Sequence, residues 1–508
     1  MNSITLNIIR ITTLIMIAVP FIEAWAKSQS EPNSSIANLS KYELTFNENN
    51  VSQVNVTASI RVSKEKIRML SYGHPWLKNG WATFVQDLEI KQENGSSLSP
   101  SVIEENGWGA WHVGVPDGTR VTLSYTVNLD HINFDWNKAG GQDSRPEWKN
   151  GALFAISRAF FIYSFVDEES EVTVNYPKNW ALITPWEKVV NKPNTFYIPS
   201  KESLVSNLFV LGEFEKRVAK FEGMTIQFAI DKTLTPYSSK LEAMLQKQLE
   251  YYSHVFGGAP NVKFAIGIRA ADEDDGEAFV NSFNQVIEES TLSKENSNVI
   301  WANTLAHEMF HFWNGSHALK SDKKEDTYWF IEGFTEYYAS FTLHKQSEIS
   351  TKIYLKKLEK YLGRYFITSH MWPEQRITLK EAGKDKNKNW LRLYGGGAVI
   401  ALALDIDIYT NSNGQQSLNS LMRELNNKYG APNVYISNES ILKTLNAMTG
   451  RSYDTFFNEY ILSENGYLDI TPYLDKVGLE LLQRVDEFYL SVKDNVKFNQ
   501  FVERKAFQ

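Results

Sequence analysis

His307-Glu308-Met309-Phe310-His311 is the stretch on which the reading of this chain turns. It lies in residues 299–313, whose apolar spacing predicts a helix. Residues four apart share one helical face, so His307 and His311 present two imidazoles to one point. Glu308, next to the first His, reaches a water held at that point. Two His ligands with an adjacent Glu as general base is the arrangement of zinc-dependent hydrolysis.

A catalytic zinc needs a third protein ligand and one open position. Two residues downstream are candidates. His317 lies six residues past His311, but Asn314 stands where a helix-breaking glycine belongs and Gly315 comes one later. Glu332 would come from a second helix packed on the first. Glu332 is favoured because Glu336 follows it by four, placing both carboxylates on one face. One can bind metal while the other accepts a hydrogen bond from a ligand imidazole and fixes its tautomer. His317 then reads as a polar loop residue, and Asn314 as a cap or packing residue at the helix end. Tyr394 precedes Gly395-Gly396-Gly397 and an apolar helix. A phenol there could face a cleft and donate to an oxyanion. With twenty-four Tyr in the chain, a packing role stays open.

The chain has 508 residues, enough for two to four domains. Its net charge of −8 and lack of a long basic run argue against nucleic acid as a partner. The 13% aromatic content fits strand-rich cores better than a sugar-binding surface. Residues 1–26 read as a signal peptide: Arg10, an apolar run over 11–22, then Ala24-Trp25-Ala26, with a mature start near Lys27; an uncleaved N-terminal anchor is the alternative. No later segment is apolar enough to span a bilayer. Cysteine is absent, so thiolate ligands, disulfides and Cys-linked lipid are excluded. Together these features suggest export to a bacterial periplasm or exterior.

Residues 27–220 predict a β-sandwich-like domain. Alternation over 42–46, 121–127 and 172–176 marks strands, with turns at Asn94-Gly95, Asp117-Gly118 and Gly140-Gly141. Residues 221–410 predict an α+β catalytic domain. It has strands at 225–230 and 262–268, a helix at 237–256 between them, the metal-site helix, and helices at 328–344 and 397–409. Residues 411–508 predict a helical domain, broken at Gly430-Ala431-Pro432 and Gly450.

Three stretches carry a resemblance to a known family: His307-Glu308-x-x-His311-x-Trp313-Asn314, Glu332-Gly333-Phe334-Thr335-x-Tyr337-Tyr338, and Tyr394-x-x-Gly397-Ala398 running on to Leu404-Asp405. The chain resembles the glycyl aminopeptidase family of gluzincin metallopeptidases, relatives of the membrane alanyl aminopeptidases. The likeness extends through Ser417-Leu418, Gly450-Arg451 and Phe456-Phe457, and covers most of residues 40–480. The resemblance implies a thermolysin-like catalytic domain, with His307, His311 and Glu332 as zinc ligands, Glu308 as base and Tyr394 as oxyanion donor. It implies a peptide substrate. Many members carry a C-terminal PDZ domain, for which the roughly 30 residues after Leu479 are too few. The family also holds the substrate amine with a Glu upstream of the zinc helix. Aligned on Gly276 and Asn281-Ser282, that position falls on Ala278, one residue from Glu277. Glu277 is therefore the candidate amine ligand, with Asp275 beside it, although residues 272–277 also read as a solvated acidic loop. The expectation is an exported zinc aminopeptidase. An endopeptidase on the same site and a catalytically silent peptide-binding protein are the alternatives.

Overall fold

A computed structural model describes residues 39–504, apart from 71–76, 106–107, 132–144, 167, 261, 273, 293–297 and 372–375. The expected signal peptide and the Gly140-Gly141 turn lie outside the described residues. The first domain is a two-layer β structure. Its larger sheet has eight strands, with Ser40–Asn47 and Asn50–Arg61 at its centre. Ser40–Asn47 alternates buried and exposed because one face meets the core and the other meets water. Tyr42, Leu44 and Phe46 point inward against Phe160, Phe161 and Phe209.

The smaller, four-stranded sheet explains a different pattern. Ala152–Ile156 and Leu208–Gly212 are buried at every residue. Leu153, Ala155, Phe209 and Leu211 face the core of the first domain. Ala152, Phe154, Ile156, Leu208 and Val210 face the other way, onto Ala229, Ala265 and Phe279 of the second domain. A strand with two apolar faces is a strand between two cores. Polar pins cross the same junction. Ser282 Oγ accepts from Leu208 N at 2.8 Å, and Asn207 Oδ1 accepts from Asn281 N at 3.2 Å. The Asn281-Ser282 pair thus ties the two domains together.

The second domain begins with a five-stranded sheet, ordered Glu215–Phe221, Met224–Ile230, Lys263–Ala271, Ser282–Glu288 and Asp275–Ala278. The expected boundary at 220 falls inside the first of these strands, which pairs antiparallel with the second. Helix Ser238–Phe256 makes the parallel crossover between the second and third strands. Residues 275–278, read as part of an acidic loop, form an edge strand because Asp275, Gly276, Glu277 and Ala278 pair with Val286, Gln285, Asn284 and Phe283.

Helices Asn298–Phe310, Lys324–Lys345 and Gly397–Asn411 then pack into one apolar core with this sheet. Among the described residues no helix is long and apolar enough to cross a membrane. The C-terminal region departs from the all-helical expectation. Leu479–Arg484 and Glu487–Val492 form an antiparallel hairpin, followed by helix Asn495–Glu503. Phe488 and Leu490, two apart, are its buried face. That two-residue alternation was present in the sequence and outweighs the helical reading. Arg504, just past the last helix, is buried against Asp405, whose other oxygen accepts from Leu418 N at 2.9 Å.

Candidate metal centre and its cleft

Helix Asn298–Phe310 carries His307 and Glu308, and His311 follows in the first turn beyond it, kept in helical register by its N–H to the His307 carbonyl at 3.3 Å. The helix ends three residues earlier than its apolar spacing extends, because Phe312 N and Trp313 N bond three residues back, to Met309 O at 3.2 Å and Phe310 O at 3.1 Å, and tighten the last turn. Asn314 fastens this turn to helix Lys324–Lys345. Its Nδ2 donates to Ile331 O at 3.1 Å and to Thr335 Oγ1 at 3.2 Å. Glu332 sits between those two partners on the same helix.

His307, His311 and Glu332 meet as a buried cluster. His307 Nε2 lies 3.1 Å from His311 Nε2, and Glu332 Oε2 lies 3.4 Å from each. A tetrahedral ion with bonds of about 2.0–2.1 Å sets its ligand atoms about 3.3 Å apart. All three edges match that figure. The opposite ring nitrogens are already engaged. His307 Nδ1 faces Glu336 Oε2 at 3.0 Å, and His311 Nδ1 faces the Asn314 carbonyl at 2.8 Å. With Nδ1–H donating on each ring, both Nε2 lone pairs converge on one point. Glu336 is in turn fixed by the Tyr361 hydroxyl at 3.0 Å. The donor set, its geometry and its supporting hydrogen bonds fit a metal ion.

The charges agree. Burial alone would raise both carboxyls of this helix. Lys386 and His311 instead hold Glu332 well below the ordinary range, and His307 with Lys357 and Arg364 brings Glu336 to about 2. Burial disfavours a charge on His307, yet Glu332 and Glu336 push it up to about 10. These carboxylates are balanced by His307, His311 and Lys386, and together they make a setting that favours a cation. Glu308 lies beside it, and burial raises its carboxyl.

The Glu332 and Tyr394 motifs are two sides of one helix crossing. A Cβ on Gly333 would come within 2.3 Å of Gly397 Cα, and one on Gly397 within 2.2 Å of the Trp329 carbonyl. Only glycine at both positions lets the backbones touch. The crossing lies one residue from Glu332 and three from Tyr394. Tyr394 itself stands in a π-helical turn, Leu391–Gly396. Its ring stacks parallel to His307 at 5.7 Å. Burial, then Glu332, raise the phenol, so it stays protonated and can donate.

Glu308, Tyr394, Glu277 and the three clustered residues line one cleft of ≈ 340 Å³, a size for a short peptide segment. Edge strand Asp275–Ala278 forms one wall. A Cβ on Gly276 would lie 2.8 Å from Thr304 Cγ2 and 3.4 Å from Glu308 Cγ, so glycine sets how close that wall stands. Glu277 Oε1 receives Arg158 Nη2 at 2.9 Å, and the guanidinium lies 5.2 Å from the Phe279 ring centroid. His317 is elsewhere. It faces Asn281 Oδ1 at 3.2 Å, and burial pushes it down to about 4. Asp275 accepts from the Gly276 N–H at 2.9 Å.

Sequence reasoning missed Lys386, which donates to Glu332 Oε1 at 2.7 Å, and Arg158, which reaches the cleft from the first domain. Lys386 hides in the charged run 384–388. Arg158 had a usable signal, a lone charge inside the apolar run 152–163.

Comparisons with known proteins show the family and the fold. The family model described as M61 glycyl aminopeptidase matches residues 301–413, and that of the peptidase M61 N-terminal domain matches 41–213. The fold is similar to that of an aminopeptidase N family protein from Idiomarina loihiensis, with a TM-score of 0.74 and 19% identity over 88% of this chain and 80% of that one. No curated protein matches.

Proposed function

We propose that this chain, which belongs to the M61 glycyl aminopeptidase family, is an exported zinc-dependent aminopeptidase. Membership makes it one of a family of peptidases. The metal, the exopeptidase action and the export are the further steps of the proposal. One observation carries it: three buried ligand atoms spaced 3.1, 3.4 and 3.4 Å apart, in the cleft that Glu308 and Tyr394 also line.

His307, His311 and Glu332 would hold the zinc, which supplies Lewis-acid polarisation of a water and of the scissile carbonyl. Glu308 takes the proton of the attacking water and returns it to the leaving amine; its burial among these charges suits a base that must also act as an acid. Tyr394 donates its hydroxyl hydrogen to the developing oxyanion. Glu336 and the Asn314 carbonyl keep the two imidazoles in the tautomer that ligation needs. Tyr394→Phe is expected to fold and to bind zinc normally. Its turnover on a short peptide should fall on the order of a hundredfold, and an unchanged rate would reduce Tyr394 to packing.

Glu277 lines the cleft and is the residue assigned here to the substrate ammonium; its Oε1 is paired with Arg158 at 2.9 Å. Peptides with a free N-terminus should then be cut one residue at a time, and acetylated ones spared. Glu277→Ala should cost roughly 1.5–3 kcal/mol in kcat/KM on free peptides. A second reading has its own support, because the 2.9 Å ion pair to Arg158 already neutralises Glu277. Equal cleavage of free and acetylated peptides at internal bonds would establish an endopeptidase. Bound zinc without any cleavage would establish a peptide-binding protein. N-terminal sequencing of the secreted chain tests export, with Lys27 the expected first residue.

A further inference from the structure

Lys386 lies in the turn between helix Leu379–Ala382 and the π-helical turn that carries Tyr394. This turn is docked on the start of the helix that bears Glu332. A Cβ on Gly383 would come within 1.9 Å of the Glu325 carbonyl, so the two backbones touch there. Asn389 Nδ2 donates to the Ala382 carbonyl at 3.1 Å and closes the turn from the other side. The docking point is two helical turns before Glu332, and from it the Lys386 side chain runs into the cleft.

The ammonium group is fixed from several directions. It donates to Glu332 Oε1 at 2.7 Å and lies 5.2 Å from the Tyr328 ring centroid and 5.8 Å from that of Tyr394. The two oxygens of Glu332 are thereby divided. Oε1 accepts from Lys386, and Oε2 faces the two imidazole nitrogens at 3.4 Å; the Tyr394 hydroxyl also hydrogen-bonds this carboxylate. A carboxylate can give a cation one oxygen or two. A second oxygen would use a position that water and the scissile carbonyl need.

We propose that Lys386 is a positioning residue that holds Glu332 to one-oxygen ligation and weakens its donation. The inference rests on the zinc-peptidase reading above. Its effect on affinity is opposite to that of a structural strut. An ammonium ion bound to a ligand carboxylate repels the metal and withdraws charge from the ligand. The site therefore holds its metal less tightly than three such ligands allow, and polarises water and carbonyl more strongly.

Three variants separate hydrogen bond from charge. Lys386→Met keeps an unbranched apolar stem between Tyr328 and Tyr394 and removes the ammonium group. Lys386→Gln keeps a donor without the charge. Lys386→Arg keeps both and serves as the rescue. Zinc affinity is measured by chelator competition, and kcat and KM on zinc-saturated protein. The visible spectrum of the cobalt(II)-substituted protein reports coordination number, since bands weaken as it rises. The Met variant is expected to bind zinc about tenfold tighter, to lose kcat about tenfold or more with KM little changed, and to show weakened cobalt bands. The Gln variant should keep the cobalt spectrum and share the tighter zinc. The Arg variant should resemble wild type in all three.

Looser zinc in the Met and Gln variants would make Lys386 a strut and overturn the proposal. Unchanged kcat, affinity and cobalt bands would overturn it too. A wild-type protein without zinc or hydrolysis would instead defeat the peptidase reading itself, so the two failures are distinct.

Discussion

Glu308→Gln is expected to retain its metal and lose turnover by about 10²–10⁴-fold. The amide is nearly the size of the carboxylate and leaves His307, His311 and Glu332 in place. It cannot accept the proton of the attacking water or return one to the leaving amine. The change also removes one of three neighbouring carboxyls, the buried Glu308 and Glu332 and the partly buried Glu336. Metal content measured beside hydrolysis separates the two effects. Hydrolysis near the wild-type rate with full metal would sink the base assignment.

The second large effect concerns the third ligand. Glu332→Ala is expected to weaken zinc binding by more than the roughly 10–100-fold that losing a hydrogen-bond partner of a ligand costs. His317→Ala should leave it unchanged. Glu332 Oε2 closes two edges of the ligand triangle at 3.4 Å each, whereas His317 faces Asn281 at 3.2 Å. Glu332→Ala also strands Lys386 without its carboxylate, and that cation would then face the metal site directly. Zinc retention after mild chelation of both variants decides the matter. Loss from the His317 variant alone would return the site to the pattern in which a third His completes the ligand set.

The candidate ligands were legible because helical geometry converts spacing into direction. A spacing of four from one His to the next, or from one Glu to the next, places each pair on one face without further information. The β-rich first domain was legible for a similar reason, since residues 40–47 alternate with the pleat. The C-terminal hairpin was not read, although Phe488 and Leu490 carry the same alternation; six-residue strands are short signals beside the helical stretch that precedes them.

Sequence by itself determined which residue types can bind a metal here and at what spacing, because those are local properties of a helix. Tertiary structure decided which of them meet. Glu332 and Tyr394 converge because Gly333 and Gly397 let two distant helices touch backbone to backbone. Arg158 reaches Glu277 because a doubly apolar strand is pressed between two cores. Lys386 reaches Glu332 because one turn docks on the start of a helix. Each contact joins segments far apart in the chain. No periodicity encodes such a contact, since the free energy that holds it comes from packing and desolvation rather than from neighbouring residues.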